Sequence, residues 1–292
     1  MERKFAIITE SSSDLPDTYY GEHDVDLAPM GYTMDDIAYG GEDGEEMEIK
    51  EFYNRVRAGA MPKTFQITPE QAKLHIEKFA KAGRDVLILS FSSGLSSTYQ
   101  SYLAAAKEMK ELYPVKVFVV DSLCASYGEG LFVDYVVKKA DTGASIEETR
   151  DYAEELKLHI CHCFTVDNLF HLKRGGRVSA ATAVIGTALN IKPVLHVDNA
   201  GHLISIGKAM GRKKSISALI QYMAKRQTLE ADDPVFISHG DCLEDAEYLK
   251  SLVLKNFGER EVRITMLGPI IGTHTGAGLL ALFFKGSARE LR

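Results

Sequence analysis

The densest group of side chains that could do chemistry is a run of hydroxyls behind a short apolar stretch. Six of the nine residues in segment 90–98, SFSSGLSST, carry a hydroxyl group, and the apolar residues VLIL precede them. A strand that ends where a helix begins leaves backbone N–H groups without partners, and a Gly/Ser-rich loop there can bind an anion. The same serines could instead only cap the helix that follows. We call residues 90–98 the serine loop and take it as the first candidate ligand site.

The serine loop lacks the sequence patterns of two common chemistries. It has no G-x-S-x-G, the pattern that places a nucleophilic serine on a strained turn. It also has no G-x-x-x-x-G-K-[ST], the pattern of a nucleotide phosphate loop. The loop by itself therefore favours binding of an anion over a recognised reaction.

A second candidate lies near the C-terminus, where a histidine stands among glycines. Segment 268–278, GPIIGTHTGAG, contains four glycines around Thr273, His274 and Thr275, and the apolar run after Gly278 predicts a helix. Glycine lets the backbone approach a ligand, and a histidine at a helix start can donate to an anion or act as a general base. The competing interpretation is a loop histidine satisfied by the backbone.

The strand-like segment HICHCFTV offers four residues of metal-binding type. Alternation along a strand puts His159, Cys161 and Cys163 on one face and His162 on the other. C-x-C without a second pair at zinc-finger spacing is a weak zinc signal, and cysteine is a common buried small hydrophobe. We therefore predict no metal site and no cofactor.

Composition narrows the class of protein. The chain has 292 residues, 45% of them hydrophobic, and a net charge of −7, which argues against broad binding to nucleic acid or anionic membrane. Local basic patches are conceivable at 173–177, KRGGR, for which a solvated turn is the competing view, and at 212–214, RKK. The four cysteines lack the spacing of a disulfide scaffold, and no apolar run is long enough for a signal peptide or a membrane span. We expect a reduced, cytoplasmic protein without stable membrane insertion.

Apolar strands alternate with amphipathic helices along most of the chain, which is typical of an α/β fold with a parallel sheet. Residues 1–158 are predicted to form a doubly wound, mostly parallel N-terminal domain, with an exposed hairpin and loop at about 30–48. Residues 159–292 are predicted to form a C-terminal α+β domain. No flexible linker is evident, so we expect the two halves to share a long interface.

Six segments, taken in order, resemble the DegV family of bacterial fatty-acid-binding proteins over nearly the whole chain. Each is weak alone, whereas their order and spacing carry the resemblance. They are ITESSSDLP, TFQITP, SFSSGLSSTYQS, FTVDNLFHLKRGGRVS, IKPVLHVDNAGHLISIGKAMGRKKSI and GPIIGTHTGAG.

The resemblance implies a carrier that performs no chemistry itself. One long-chain fatty acid, palmitate- or oleate-like, lies in a tunnel between the domains, and a fatty acid kinase phosphorylates its carboxylate for phospholipid synthesis. The carboxylate is held by Thr64 and by Ser93 or Ser96 of the serine loop, between which the sequence does not choose. Arg177, Arg212 and His274 lie near the carboxylate end or the partner-facing surface. Apolar segments after Thr98, Ala180 and Gly278 are candidates for the tunnel lining.

The chain departs from the family pattern at three places. The segment that begins at Thr64 usually reads T-S-Q-P in the family, whereas residues 64–67 of this chain read TFQI. In the serine loop Ser97 stands where glycine is usual, and in the last loop Ala277 stands where proline is common. These changes bear on which lipid is preferred. The alternative function is an enzyme, a serine hydrolase or a phosphotransferase that uses the serine loop with His274 as base, and such a triad needs the base within hydrogen-bond reach of the serine.

Overall fold

The computed structural model describes residues 3–179 and 190–290. The elements of the first half follow in chain order, with a 3₁₀ turn at Ser11–Ser13: β1 Phe5–Glu10, α1 Asp17–Glu22, β2 Val25–Ala28, β3 Gly31–Met34, β4 Ile37–Gly40, α2 Ile49–Arg57, β5 Lys63–Phe65, α3 Pro69–Ala80, β6 Asp85–Ser90, α4 Thr98–Leu112, β7 Val117–Asp121, α5 Tyr127–Asp141 and α6 Ile146–Leu156. Those of the second half are β8 Ile160–Thr165, α7 Phe170–Arg174, β9 Ile191–Val197, β10 Leu203–Met210, α8 Arg212–Ala224, β11 Val235–His239, α9 Leu243–Phe257, β12 Val262–Met266, α10 Pro269–Thr275 and β13 Leu280–Lys285.

Two larger sheets organise these elements. The first is fully parallel, with strand order β2-β1-β6-β7, and its strands are buried apolar runs such as FAIITE and DVLILS. The second has the order β10-β9-β8-β13-β11-β12 and is antiparallel except for the β11/β12 pair. The predicted fold class, an N-terminal parallel sheet followed by a second α+β half, is confirmed.

Helix α5 joins the two halves. It is buried along nearly its whole length and packs against β8, β11 and β13 of the second sheet as well as against α6. Its buried residues include the acids Glu129 and Asp134 beside the apolar ones. The predicted division at residue 158 falls between α6 and β8, and the assignment of two separate domains stays a prediction.

The hairpin predicted at about 30–48 is present as β3 and β4, but the expectation that it is exposed is wrong for its inner face. Tyr32, Met34 and Tyr39 are buried in the main core, whereas the Gly- and acid-rich residues after β4 are mostly exposed. β5 adds to the hairpin through β3, where Tyr32 pairs with Thr64. The small sheet therefore positions one of the predicted site residues.

The helix predicted after Gly278 is instead strand β13, which pairs with β8 on one side and β11 on the other. A short apolar run that is buried on both faces has no periodicity that separates strand from helix. The helix predicted after Ala180 lies outside the described residues. Among residues 3–179 and 190–290, no helix is long and apolar enough to cross a bilayer.

Candidate functional site

A cavity of about 400 Å³ lies between the two halves. The serine loop approaches it from the carboxyl end of β6, which is where open α/β sheets bind ligands. Five of the six predicted site residues line it: Thr64, Ser93, Ser96, Arg177 and His274. Much of the remaining wall is apolar, and its side chains include Phe91, Leu95, Phe164, Leu203, Ile270 and Phe283.

The shortest polar contact between predicted site residues joins Thr64 and His274. Thr64 Oγ1 lies 2.8 Å from His274 Nε2, although the residues are 210 positions apart in the chain. His274 stands in the last turn of α10, not at a helix start as predicted. The backbone of Gly175 packs so closely on the ring that a Cβ there would lie 2.3 Å from His274 Nδ1. The fold thus fixes the imidazole against Thr64.

His274 is held in its neutral form. Burial, helped by the charges of Arg177 and Arg174, lowers the pKa of His274 to about 4. Its Nδ1 is buried and has no hydrogen-bond partner among residues 3–179 and 190–290. A buried ring nitrogen without a proton and without a partner costs less free energy than a buried N–H without an acceptor. The geometry therefore favours the tautomer with the proton on Nε2, which donates to Thr64 Oγ1. The Thr64 hydroxyl proton then stays free for a ligand oxygen.

Two guanidinium groups stand beside this pair. Arg177 Nε donates to Leu95 O at 3.1 Å, and Arg174 Nη2 donates to Pro62 O at 2.9 Å and to Thr273 O at 3.3 Å. Within the described part of the chain neither arginine forms an ion pair with a carboxylate. Burial lowers the pKa of Arg177, which nonetheless stays a cation at any physiological pH. Arg177 of the KRGGR segment lines the cavity, whereas Lys173, Arg174 and Gly176 are exposed, so the segment supplies positive charge to the site from a turn that is mostly solvated.

The hydroxyls of the serine loop divide into two kinds. Ser90 Oγ donates to Glu10 Oε1 at 2.7 Å, and Ser92 Oγ donates to Gly201 O at 2.9 Å, so both are used by the scaffold. Ser96 Oγ accepts from Thr98 N at 3.2 Å at the start of α4. Ser93 Oγ has no hydrogen-bond partner among the described residues, whereas its backbone N–H donates to Asp121 Oδ1 at 3.1 Å. Ser97 also lines the cavity without a side-chain cap contact, but it is exposed, so of the loop hydroxyls without a partner among the described residues Ser93 is the one partly enclosed by the cavity.

Arg212 lies apart from this group. Its Nε donates to Asp245 Oδ2 at 2.8 Å and its Nη2 contacts Cys242 Sγ at 3.3 Å, at the first residue of α8. It is not among the residues that line the cavity. Its predicted role near the carboxylate end or the partner-facing surface stays a prediction.

Three buried polar residues near the cavity were missed in the sequence: Glu10, Asp14 and Ser126. Glu10 binds both Ser90 Oγ and the N–H of Phe91, at 2.7 and 2.9 Å, and thereby holds the base of the serine loop. Burial raises the pKa of Glu10 to about 7. The sequence signal was the acid at the end of strand β1 in ITESSSDLP, although only the fold shows what it contacts.

Most of the HICHC segment lies in strand β8 and is buried. Cys161 and Cys163 pack into the core of the second half, on the face opposite to His162, as the predicted alternation requires. His162 Nδ1 contacts Ile160 O at 3.0 Å, and its Nε2 accepts from Ala125 N at 3.3 Å, so both ring nitrogens are satisfied. Across residues 3–179 and 190–290 no group of three or more His, Cys, Asp or Glu could hold a metal ion.

The enzyme alternative requires a serine of the loop within reach of His274. In the described structure His274 Nε2 contacts Thr64, and neither Ser93 nor Ser96 forms a hydrogen bond with it. The geometry gives the serine hydrolase no support.

Comparison with known proteins covers nearly the whole chain. The family model described as "Uncharacterised protein, DegV family" matches residues 4–286. A DegV domain-containing protein of Clostridium perfringens is 41% identical over 289 residues, which cover 99% of each chain. A fatty acid-binding protein of Thermotoga maritima is 33% identical, over 94% of this chain and 95% of that protein.

Solved structures show the same fold. The structure of a fatty-acid-binding DegV family protein from Thermus thermophilus matches with a TM-score of 0.86 and 30% identity, covering 98% of this chain and 100% of that one. DegV of Bacillus subtilis, described as a fatty acid binding protein, matches with a TM-score of 0.82 and 27% identity over 98% and 100% of the two chains. The family that the sequence motifs indicated is confirmed, and the chain belongs to the DegV family.

Proposed function

We propose that this protein binds one long-chain fatty acid in the cavity, with its carboxylate at Thr64 and Ser93, and presents that carboxylate to a fatty acid kinase. The observation that carries the proposal is that two hydroxyls line one largely apolar cavity: that of Thr64, which contacts His274, and that of Ser93, which has no hydrogen-bond partner in the described part of the chain. The relatives described as fatty acid-binding proteins support the ligand class.

The chemistry of the site suits a carboxylate. Two hydroxyl donors replace part of the water that the anion loses, and the Arg177 and Arg174 guanidinium groups add positive charge without a competing carboxylate. A neutral His274 orients Thr64 instead of acting as a second cation. We expect the two hydroxyls to contact the carboxylate directly and the two arginines to stabilise its negative charge electrostatically.

The rest of the ligand is held by burial. An acyl chain gains about 0.8 kcal/mol for each buried methylene, so roughly fifteen methylenes give on the order of 12 kcal/mol before ordering costs. The apolar walls contributed by the second sheet and α10 supply that surface. The head group therefore orients the lipid, and the tail supplies most of the affinity.

The exposed side of the site supports presentation to a partner. Thr64 and Ser93 are only partly buried, and Lys63, Phe65 and Gln66 around Thr64 are exposed. A carboxylate at Thr64 would then lie close to solvent, where a kinase could transfer a phosphoryl group to it and form the acyl phosphate used in phospholipid synthesis. Arg212→Ala is expected to leave fatty acid affinity unchanged and to slow the kinase-dependent step, because Arg212 lies outside the cavity wall.

The binding test combines native mass spectrometry of the purified protein with titration of delipidated protein by octadecanoic acid. Thr64→Val and Ser93→Ala should each lower the affinity by about 5- to 150-fold, equivalent to roughly 1–3 kcal/mol for a donor lost from a charged group. Thr33→Val is the matched control, because Thr33 belongs to the same small sheet, opposite Lys63, and does not line the cavity. A protein that carries and takes up no fatty acid would refute the proposal; equal affinities in all three variants would show that the head group lies elsewhere.

A further inference from the structure

A second polar group lies on the cavity wall away from Thr64. Ser126 lines the cavity, and its Oγ donates to Asp14 Oδ2 at 2.7 Å and lies 3.2 Å from Ser238 Oγ. The other oxygen of Asp14 accepts from Gly268 N at 3.0 Å. All three side chains are buried, with exposed fractions of 5% for Ser126, 9% for Asp14 and 0% for Ser238. We call Asp14, Ser126 and Ser238 the inner polar cluster.

The inner polar cluster is costly to build. Ser126 adopts φ 56° and ψ −152°, a conformation close to one that glycine almost alone adopts, and such outliers cost about 1–3 kcal/mol each. Asp14 has no ion-pair partner in residues 3–179 and 190–290, and burial raises its pKa to about 7. The hydrogen bond between Asp14 and Gly268 would not by itself require a strained serine on the cavity wall. Strained residues of this kind cluster at ligand sites, and Ser126 lies on the cavity wall.

The direction of the hydrogen bonds shows what the cluster can still bind. When Asp14 is ionised, the Ser126 proton goes to Asp14, so in the contact with Ser238 the Ser238 hydroxyl is the donor. Ser126 Oγ then keeps acceptor capacity toward the cavity and has no proton left to give. A ligand group that pairs with it must be a donor, and the donor that an acyl chain can carry is an alcohol, not a ketone.

Helix α10 connects a residue that contacts the inner polar cluster with a residue that contacts the head-group site. Gly268, bonded to Asp14, precedes its first residue, and His274, bonded to Thr64, stands in its last turn. Six residues at a rise of about 1.5 Å separate the two points by about 9 Å. With carbon–carbon bonds of about 1.5 Å in a zigzag, the chain advances about 1.3 Å per carbon, so roughly seven carbons span that distance. The cluster faces the middle of a long acyl chain.

We propose that the inner polar cluster is a subsite for a hydroxyl group on the middle of the acyl chain, so that the protein takes mid-chain hydroxy fatty acids in preference to unsubstituted ones. The inference rests on the proposed function, because it assumes a carboxylate at Thr64 and Ser93. It adds a ligand class that is set by Asp14, Ser126 and Ser238.

The test compares three acids of equal length on delipidated full-length protein at pH 8.5, where Asp14 is ionised: octadecanoic, 8-hydroxyoctadecanoic and 8-oxooctadecanoic acid. The wild-type protein should bind the hydroxy acid about three- to tenfold more tightly than octadecanoic acid, the range expected for one net hydrogen bond. The oxo acid should bind more weakly than the hydroxy acid, because its carbonyl oxygen can only accept a hydrogen bond and Ser126 Oγ has no proton to donate to it. Equal binding of the hydroxy and unsubstituted acids would overturn the inference, and so would equal binding of the hydroxy and oxo acids.

Variants separate this inference from the proposed function. Ser126→Gly, which also relieves the backbone strain, should bring the hydroxy-to-unsubstituted affinity ratio close to one, whereas Thr64→Val should weaken all three acids and leave that ratio unchanged. If wild-type protein binds none of the acids, the proposed function fails and the subsite falls with it. If it binds all three alike, only the subsite is refuted, and this readout does not depend on any variant folding.

Discussion

The two halves of the serine loop use the same side chain for opposite purposes. In the first half, Ser90 and Ser92 are fully buried and their hydroxyls are bound to Glu10 and to the backbone of Gly201. In the second half, Ser93 is partly exposed to the cavity and its hydroxyl is free within the described structure. The first half holds the loop in place, and the second half presents a donor to a ligand.

This difference shows that the role of a hydroxyl is set by what faces it. The anchored half is held from two directions, by the Glu10 carboxyl beneath it and by the turn between β9 and β10, where Ala200 and Gly201 pack against Gly94. A free donor such as Ser93 can keep its position only because these contacts fix the backbone around it. Anchor and donor should therefore respond differently to mutation and to pH.

The largest expected effect is on the pH dependence of the anchor. Burial raises the pKa of Glu10 from 4.5 to about 7, so between those values the folded chain holds a proton that the unfolded chain has lost. Glu129, also fully buried, contacts Glu10 and has its own pKa raised well above the ordinary value, so the two carboxyls titrate together, and the contribution of the pair to the free energy of unfolding falls as the pH rises above 4.5. Urea denaturation of wild type and Glu10→Gln at pH 4.5 to 8 should show the variant losing less stability than wild type as the pH rises.

The comparison with Glu10→Gln is needed because buried histidines act in the opposite direction. Burial lowers the pKa of His196 and of His274 to about 4, so both cost stability as the pH falls below their ordinary value of 6.5. The histidine contributions are common to wild type and Glu10→Gln, so they cancel in the difference between the two free energies of unfolding. A difference that stays constant with pH, or that grows in favour of wild type, would show that Glu10 is not the titrating anchor.

The next effect concerns the second anchor. Ser92→Ala leaves Gly201 O without its donor and Gly94 N without the acceptor that it now finds at 3.2 Å. Two buried backbone groups left short of partners should cost about 1–3 kcal/mol in the free energy of unfolding, and the displaced loop should bind octadecanoic acid more weakly. Denaturation and titration of the same sample measure both. Ser93→Ala is the matched control, and it should lose affinity with no loss of stability.

Local features of the fold were predictable because their causes are local. Thr68 and Pro69 predict the start of α3, and the structure shows the capping box of Thr68 with Gln71 at that point. The position of the serine loop after β6 follows from a buried strand that runs into a Gly/Ser segment. Sequence neighbours decide both features, so periodicity and capping rules suffice.

The rest depends on contacts between distant residues. Asp14 lies in the loop just after β1, yet it binds Ser126 and Gly268, the latter 254 positions away. The resemblance placed Thr64 at the carboxylate and His274 near the carboxylate end or the partner-facing surface, whereas their direct contact appears only in the fold, since no spacing rule joins residues so far apart. The choice between Ser93 and Ser96 was open in the sequence, because it depends on which hydroxyl the scaffold already uses, and Ser93 stays a prediction.

A smaller effect is expected at the contact that orients Thr64. Gly175→Ala would place a Cβ 2.3 Å from His274 Nδ1, so the imidazole must move and its contact with Thr64 is lost. Thr64 would then be free to rotate, and we expect the affinity for octadecanoic acid to fall about three- to tenfold, or about 1 kcal/mol. Gly21→Ala is the control, because nothing lies within 4 Å of a Cβ there. Equal affinities in the two variants would show that His274 does not position the donor.

The smallest expected effect tests the boundary between the two halves of the loop. Ser96 lines the cavity, yet its Oγ already accepts from Thr98 N and contacts Thr98 Oγ1 at 3.0 Å, as a local cap at the start of α4. Ser96→Ala should therefore cost about 0.5–1 kcal/mol in the free energy of unfolding, as other lost caps do, and change the affinity for octadecanoic acid by less than about threefold. Thermal denaturation and titration beside Ser93→Ala decide the point. If Ser96→Ala loses as much affinity as Ser93→Ala, the cap must break when the ligand enters, and the donor half of the loop then extends to the first turn of α4.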